Sequence, residues 1–114
     1  MRIAFGCDHA GFPHKDGLIE ALQTDGQDVL DMGTFSEDPV DYPDFARAVA
    51  NAVRNRFVDT GVLLCGSEVG AAIAANKIRG IRAAAVHDEY TARQSRTEDD
   101  ANVICLGARV IDVE

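Results

Sequence analysis

Cys65 is the residue of this sequence whose type and position most clearly suggest chemistry. It ends the apolar run GVLLC and precedes a glycine-rich turn, Gly66–Gly70, that leads into a helical pattern. Because a helix N-terminus stabilises a thiolate, we expect a lowered pKa for Cys65 and a role as general base. The N–H groups of the turn could hold a developing oxyanion, as an enediolate intermediate requires. The alternative is that Cys65 is an inert, buried small hydrophobic residue.

A second polar cluster follows the first apolar run, in the segment CDHAG. Asp8 and His9 combine an acid with an imidazole, a pair suited to binding hydroxyls and phosphate or to proton transfer. A structural role for Asp8 as a helix cap explains the residue equally well. Tyr42 lies on the long second loop, where an exposed aromatic side chain can pack on a sugar or a partner. The acidic run Glu98–Asp100 is typical of a solvated loop.

The elements that must position these residues are short apolar runs alternating with helical patterns. This alternation predicts an α/β/α three-layer sandwich with a Rossmann-like, five-stranded parallel sheet of order 2-1-3-4-5. In such a sheet the residues after strand 1 and at the end of strand 3 face each other, so Asp8 and His9 should meet Cys65.

The predicted strands are residues 1–5, 27–32, 61–65, 81–86 and 102–106. Four helices are predicted: residues 15–24, a helix that begins at Pro43, residues 67–77 and residues 89–97. The helix from Pro43 should bury Phe45, Val49, Ala52 and Val53. Asp88 should cap the last helix. In the first helix Leu18, Ala21 and Leu22 share one face.

Composition narrows the class of protein. The chain has 114 residues, 46% hydrophobic and 26% charged, which predicts one globular domain. A formal net charge of −8 argues against nucleic acid as a partner. No apolar stretch approaches the about 20 residues of a membrane helix, and the start lacks a signal-peptide layout, so we expect a cytoplasmic protein. Three cysteines without CxxC spacing make a disulfide framework or a zinc site improbable.

Four stretches of the chain together resemble one known family. They are IAFGCDHAGF near the start, DYP at residues 41–43, LLCGSEVGAAIAANKIRGIRAA from the third strand to the fourth, and NVICLGARV near the end. In this order they resemble the ribose-5-phosphate isomerase B and galactose-6-phosphate isomerase group. The resemblance implies aldose–ketose isomerisation of a sugar phosphate without a metal or an organic cofactor. It also implies a homodimer that shares its active sites.

The family's motif assigns roles to individual positions of this chain. By resemblance, Cys65 matches the base and Ser67 the hydroxyl residue beside it. The oxyanion loop matches Gly66, Glu68, Val69 and Gly70; the substrate-binding pair matches Asp8 and His9; the loop aromatic matches Tyr42; and an arginine near the phosphate matches Arg109.

The chain departs from the family's pattern at three places. A His-Asn pair before the fifth strand, whose histidine is credited with opening the sugar ring, is replaced by Glu98 and Asp99. Glu98, if buried, could take over ring opening, and Asp99 would then contact substrate. Glu68 stands where the family usually has glycine, and it would be strained if the backbone there needs a positive φ. The family continues beyond Glu114 with a C-terminal helix, so we predict a single domain over residues 1–114 without that helix.

These observations leave several functions open. The leading hypothesis is an isomerase that interconverts ribose 5-phosphate with ribulose 5-phosphate, or a tetrose phosphate pair, through an enediolate. A tetrose phosphorylated at O4 cannot close a furanose ring, so its isomerase would not need the lost histidine. The main alternative is a catalytically silent binding or assembly subunit, because Glu98 and Asp99 would repel an anionic substrate. A proton-transfer enzyme for a non-phosphorylated substrate is a third possibility.

Overall fold

Five strands alternate with four helices in the part of the chain that the computed structural model describes, residues 1–66 and 68–108. Each predicted element is present, with bounds shifted by a few residues. In chain order the elements are β1 (Arg2–Cys7), α1 (Phe12–Thr24), β2 (Asp28–Asp31), α2 (Tyr42–Arg54), β3 (Thr60–Cys65), α3 (Glu68–Asn76), β4 (Ala83–Ala85), α4 (Glu89–Thr97) and β5 (Val103–Gly107).

The sheet is parallel throughout, which confirms the predicted α/β class, but its strand order is β2-β1-β3-β5-β4. The predicted order 2-1-3-4-5 is therefore wrong for the last two strands. β5 lies between β3 and β4, and it buries Val103 and Cys105 completely. β4 consists of three partly or fully exposed alanines, and such a short strand suits the edge of a sheet. The larger apolar side chains of β5 thus take the interior position.

Helices cover both faces of the sheet. On one face α2 and α3 pack over Leu63 and the neighbouring strands, and α2 buries Val49, Ala52 and Val53 as predicted while Phe45 is half-buried. On the other face α1 packs over Phe5 and Leu64. The predicted face of α1 is wrong in part, since Leu18 and Leu22 are half-buried while Ala21 is exposed. α1 buries Lys15 instead.

The ends of α4 show where this helix lies on the sheet. Asp88 caps its N-terminus as predicted: the Thr91 N–H donates to Asp88 Oδ1 at 2.7 Å, and the Asp88 N–H donates to Thr91 Oγ1 at 3.2 Å. At its other end, the Arg82 guanidinium donates to the Asp99 carbonyl at 3.0 and 2.6 Å. The end of α4 is thereby fixed next to the residues that begin β4 and β5.

Within the described ranges no helix is both long and apolar enough to cross a bilayer.

Candidate active site

The ends of β1 and β3 form one side of a cavity of about 270 Å³. The two strands pair in parallel with Cys7 opposite Leu64, and the Asp8 N–H donates to the Leu64 carbonyl at 3.3 Å. β4 and β5, the strands whose order was predicted wrongly, take no part in this pairing. Asp8 and His9 therefore meet Cys65 as predicted. The cavity is lined by Asp8, His9, Ala10, Tyr42, Cys65, Gly66 and Gly70.

Asp8 is buried and is held by the chain that follows it. Its Oδ1 accepts the Gly11 N–H at 3.0 Å, and its carbonyl accepts the Phe12 N–H at 3.0 Å where α1 begins. Asp8 lies in the cavity as predicted, but the helix-cap role considered for it is wrong, because the N-cap of α1 is Gly11 and no side chain caps this helix. A carboxylate fixed in this way meets a ligand without first having to be ordered.

His9 is oriented by the loop between β2 and α2. Its Nδ1 accepts the Val40 N–H at 3.1 Å. A neutral imidazole that accepts at Nδ1 carries its proton on Nε2, so the hydrogen-bond network assigns His9 to the Nε2–H tautomer. His9 can therefore donate a hydrogen bond from Nε2 to an oxygen in the cavity.

Tyr42 lies against Gly70, where the first turns of α2 and α3 approach each other. A Cβ atom at position 70 would stand 2.8 Å from the Tyr42 hydroxyl and 2.9 Å from Cζ of the ring. This spacing is too short for any residue with a side chain, so glycine is required at position 70 if Tyr42 keeps its place. The N-terminal ends of two helices at one cavity favour an anionic group there.

Cys65 is almost completely buried, with 3% of its surface exposed. Burial raises the pKa of its thiol to about 12, and the negative charge of Asp8 adds to the rise, while the backbone N–H of Asp8 opposes it. The predicted lowering of the Cys65 pKa is therefore wrong, because desolvation of the thiolate outweighs the favourable polar groups. At neutral pH Cys65 is therefore a thiol.

Glu98 and Asp99 do not reach this cavity within one chain. The carbonyl of Asp99 accepts from Arg82, and Gly61 at the start of β3 donates to the Asn102 carbonyl. With a rise of about 3.3 Å per residue, the four steps from Gly61 to Cys65 span roughly 13 Å. Glu98 is also exposed, so the burial on which its predicted ring-opening role depended is absent from the single chain.

Glu68 and Val69, both predicted to bind substrate, are not among the residues that line the cavity. The Glu68 carboxylate is buried, and its Oε2 has no hydrogen-bond partner among the residues that the structure describes. Its charge adds to the burial that raises the pKa of Cys105 to about 12. The side chain of Glu68 therefore faces β5. Glu68 also has no positive φ, so the strain considered for this position does not arise. Val69 is more than half exposed. Ser67 and Arg109 lie outside the described residues.

Lys15 is a buried residue of this region that the sequence interpretation missed. It is 3% exposed, and its Nζ lies 2.7 Å from Asp31 Oδ2 and donates to the Thr34 carbonyl at 2.6 Å. Its spacing of three and four residues from Leu18 and Ile19 places it on the apolar face of α1. That position was the signal that could have identified a buried lysine.

Metal-binding side chains do not cluster in the described ranges: no group of three or more His, Cys, Asp or Glu is arranged to hold an ion there. Cys7, Cys65 and Cys105 are free and buried. The residues that line the cavity supply a carboxylate, an imidazole, a phenol and a thiol, which suit hydroxyl binding and proton transfer.

Comparison with known proteins decides which family shares this arrangement. A family model described as Ribose/Galactose Isomerase matches residues 3–114. The chain belongs to this family. It is 47% identical over 113 residues to ribose-5-phosphate isomerase B of Escherichia coli, an alignment that covers 99% of this chain and 76% of the relative. It is 42% identical over 116 residues to D-erythrulose-4-phosphate isomerase of Pectobacterium atrosepticum, covering 100% and 76%.

A solved structure agrees with the family assignment. The structure of Clostridium thermocellum ribose-5-phosphate isomerase B superposes with a TM-score of 0.96 at 44% identity, covering 99% of this chain and 76% of that one. The resemblance stated from the motifs is confirmed.

Proposed function

We propose that this protein is an aldose–ketose isomerase that moves a proton between C1 and C2 of a sugar phosphate. The observation that carries the proposal is the convergence of Cys65, Asp8, His9 and Tyr42 on one cavity. The chain is similar to relatives named for isomerisation of ribose 5-phosphate and of erythrulose 4-phosphate, so sugar phosphates are the substrate class. Family membership and the intact cavity weigh against the silent-subunit alternative. We place the enzyme in the cytoplasm.

In the proposed mechanism Cys65 takes the proton from C2 of the aldose and returns it to C1. The C2–H electron pair forms the enediolate double bond, and the carbonyl electrons move to O1, whose negative charge is held by N–H groups of the Gly66–Gly70 turn. The O2 proton then passes to O1, the electron pair left on O2 forms the carbonyl at C2, and the electron pair of the enediolate double bond takes the proton from Cys65 at C1. His9 donates from Nε2 to a substrate oxygen. Ser67 supports the base, and Arg109 binds the phosphate, as the family motif implies.

The raised pKa of Cys65 sets a condition on this mechanism. The thiol must lose its proton once substrate is bound, and the charge of Asp8 opposes that loss. A substrate hydroxyl that donates to the Asp8 carboxylate would spread that charge and weaken its effect on Cys65. Substrate binding would thus lower the pKa of the base at the moment when the base is needed.

Substitution of Cys65 tests the assignment. Cys65→Ala and Cys65→Ser should each lower kcat by at least about 10³, and they should abolish exchange of the C2 proton in D₂O. Cys105→Ala is the matched control, because it removes another buried thiol outside the cavity and should leave turnover nearly unchanged. A Cys65→Ala protein with near-normal kcat would exclude Cys65 as the base.

A homodimer with shared sites is the assembly we propose. α3 exposes Val69 and Ile73, and beside them a groove of about 310 Å³ that shares Tyr42 and Gly70 with the cavity presents Arg47 and Lys77. The acidic run at the end of α4 is complementary in charge to this groove. Because Glu98 and Asp99 lie at the far end of their own sheet, they can contribute to a cavity only from a partner subunit.

Mixed dimers test whether the sites are shared. If Glu98 acts across the interface, Cys65→Ala and Glu98→Gln proteins should each be inactive on ribose 5-phosphate. After the two are unfolded and refolded together, about a quarter of the wild-type activity should return, since half of the dimers are mixed and each has one intact site.

Light scattering tests the assembly itself. It should report a dimer for the wild type, and Ile73→Glu should shift the dimer towards monomer. A monomeric, fully active wild type would refute the assembly.

Among sugar phosphates we propose that an open-chain tetrulose phosphate is preferred. Glu98, which replaces the ring-opening histidine, is exposed in the single chain, and an open-chain substrate needs no ring opener. The value of kcat/KM should be higher for erythrulose 4-phosphate than for ribose 5-phosphate, and Glu98→Gln should leave the former unchanged. If instead ribose 5-phosphate is the better substrate and Glu98→Gln abolishes its turnover, Glu98 is the ring opener and the tetrulose preference is wrong.

A further inference from the structure

Lys15 is a buried cation that takes no part in the steps proposed above. Besides its ion pair with Asp31 and its hydrogen bond to the Thr34 carbonyl, its Nζ lies 4.0 Å from the centre of the Phe35 ring. A buried ammonium is costly unless several groups compensate it, and all three of these groups stand at the end of β2 or just after it. Lys15 therefore fixes the first residues of the loop between β2 and α2, residues 32–41.

The same loop is bound to the candidate site at both of its ends. At the start, the Cys7 N–H donates to the Gly33 carbonyl at 2.6 Å, and the Thr34 N–H donates to the Cys7 carbonyl at 2.8 Å. Cys7 directly precedes Asp8 and His9. Near its end, the Val40 N–H donates to His9 Nδ1 at 3.1 Å. A displacement of Thr34 would thus be transmitted to His9 both through the backbone before it and through the loop.

We propose that Lys15 is a positioning residue for His9. By holding Thr34 and Phe35, it keeps the loop in the conformation in which the Val40 N–H meets His9 Nδ1. This contact fixes the Nε2–H tautomer of His9 and presents Nε2–H to the cavity. The identity of the oxygen that receives this hydrogen bond rests on the proposed function, whereas the positioning itself depends only on contacts within the chain.

Lys15 could instead do no more than attach α1 to β2, and the two roles differ in what they predict for His9. A purely structural lysine lowers stability when it is replaced but leaves the tautomer of His9 as it was. A positioning lysine changes the tautomer as well, because the loop no longer delivers the Val40 N–H to Nδ1. The nitrogen chemical shifts of the imidazole distinguish the tautomers directly.

The experiment is nitrogen-detected NMR of histidine-labelled protein, combined with steady-state kinetics. Lys15→Met keeps a long unbranched side chain and removes the ammonium. We expect His9 to change from one neutral tautomer to a mixture, and KM to rise about tenfold with kcat changed less than about threefold. Lys15→Arg keeps the charge and should restore most of the wild-type spectrum. Val58→Ala, a buried substitution outside the cavity, is the control for general loss of stability and should leave His9 unchanged.

The outcomes decide the proposal in each case. A Lys15→Met protein that is folded and destabilised, yet retains the single His9 tautomer and the wild-type KM, overturns it. If Lys15→Met does not fold, Asp31→Asn removes the ion pair and leaves the Lys15 hydrogen bond to Thr34. Asparagine keeps the Oδ1 acceptor that the Gly33 N–H contacts at 3.0 Å, so the start of the loop stays attached to β2. An intermediate change at His9 is expected, and an unchanged His9 signal there also overturns the proposal. The NMR result requires no turnover. A wild type without isomerase activity would therefore refute the proposed function and leave the test of Lys15 valid.

Discussion

Three buried thiols should make this protein lose stability in alkaline solution. Burial raises the pKa of Cys7 to about 11 and those of Cys65 and Cys105 to about 12, from an ordinary value of 9.0. In the unfolded chain these thiols titrate near the ordinary value. Above pH 9 the unfolded state therefore binds fewer protons than the folded state, and the free energy of unfolding falls as pH rises. The stabilisation is complete below pH 9 and is lost progressively as pH rises towards 11 to 12.

The magnitude follows from the size of the shifts. In the range between the unfolded and the folded pKa, each thiol lowers the free energy of unfolding by about 1.4 kcal/mol per pH unit. Between pH 8 and pH 10 one thiol therefore contributes a loss of about 1 kcal/mol, and the three together contribute a few kcal/mol. Cys105→Ala should remove one third of this loss, because Cys105 is completely buried and lies outside the cavity.

Urea unfolding at pH 8, 9 and 10 in the presence of a reductant measures the effect. The cavity left by Cys105→Ala lowers stability equally at each pH, and tyrosines and lysines titrate alike in both proteins, so the difference between variant and wild type isolates one thiol. That difference should shrink by about 1 kcal/mol from pH 8 to pH 10. Two curves that stay parallel over this range would refute the reasoning, since Cys105 would then titrate alike in the folded and unfolded states.

Three further outcomes are expected. Gly70→Ala places a methyl group against the ring of Tyr42, so KM should rise several-fold with an unchanged circular dichroism spectrum, whereas Tyr42→Phe, which keeps the ring, should have a smaller effect. Asp88→Ala removes the capping box of α4 and should lower the free energy of unfolding by about 1 kcal/mol in denaturant titrations, with Asp88→Asn retaining most of it. Asp8→Asn removes a charge that raises the pKa of Cys65, so alkylation of this thiol should begin at a lower pH in a chain whose other two cysteines are alanine.

The fold was predictable to the extent that local pattern determines it. Apolar runs and helical periodicity were enough to predict all nine elements, and the Asp88 cap was predictable from its residue type. Strand order depends on which of two apolar runs buries more surface. That difference between the alanines of β4 and the larger residues of β5 becomes clear only once both are packed.

The candidate site was also predictable only in part. The meeting of the β1 and β3 ends follows from parallel pairing, so Asp8, His9 and Cys65 could be placed together from the sequence. The pKa of Cys65 could not be predicted, because its direction depends on how much water the fold removes from the thiol. The place of Glu98 could not be predicted either, since it depends on which end of the sheet the α4 C-terminus reaches.

The interior position of β5 also affects how the sheet is completed during synthesis. β2, β1 and β3 can assemble once residue 65 has emerged, but β3 then has an open edge, and β4 finds its only described neighbour in a strand that ends at Gly107. An exposed apolar edge is a site where two nascent chains can pair with each other. In pulse-labelling hydrogen exchange, amides of β1 should gain protection before those of β4, and simultaneous protection would contradict this order. A ribosome that pauses after residue 65 and before residue 107 has emerged would therefore leave the edge of β3 open to aggregation.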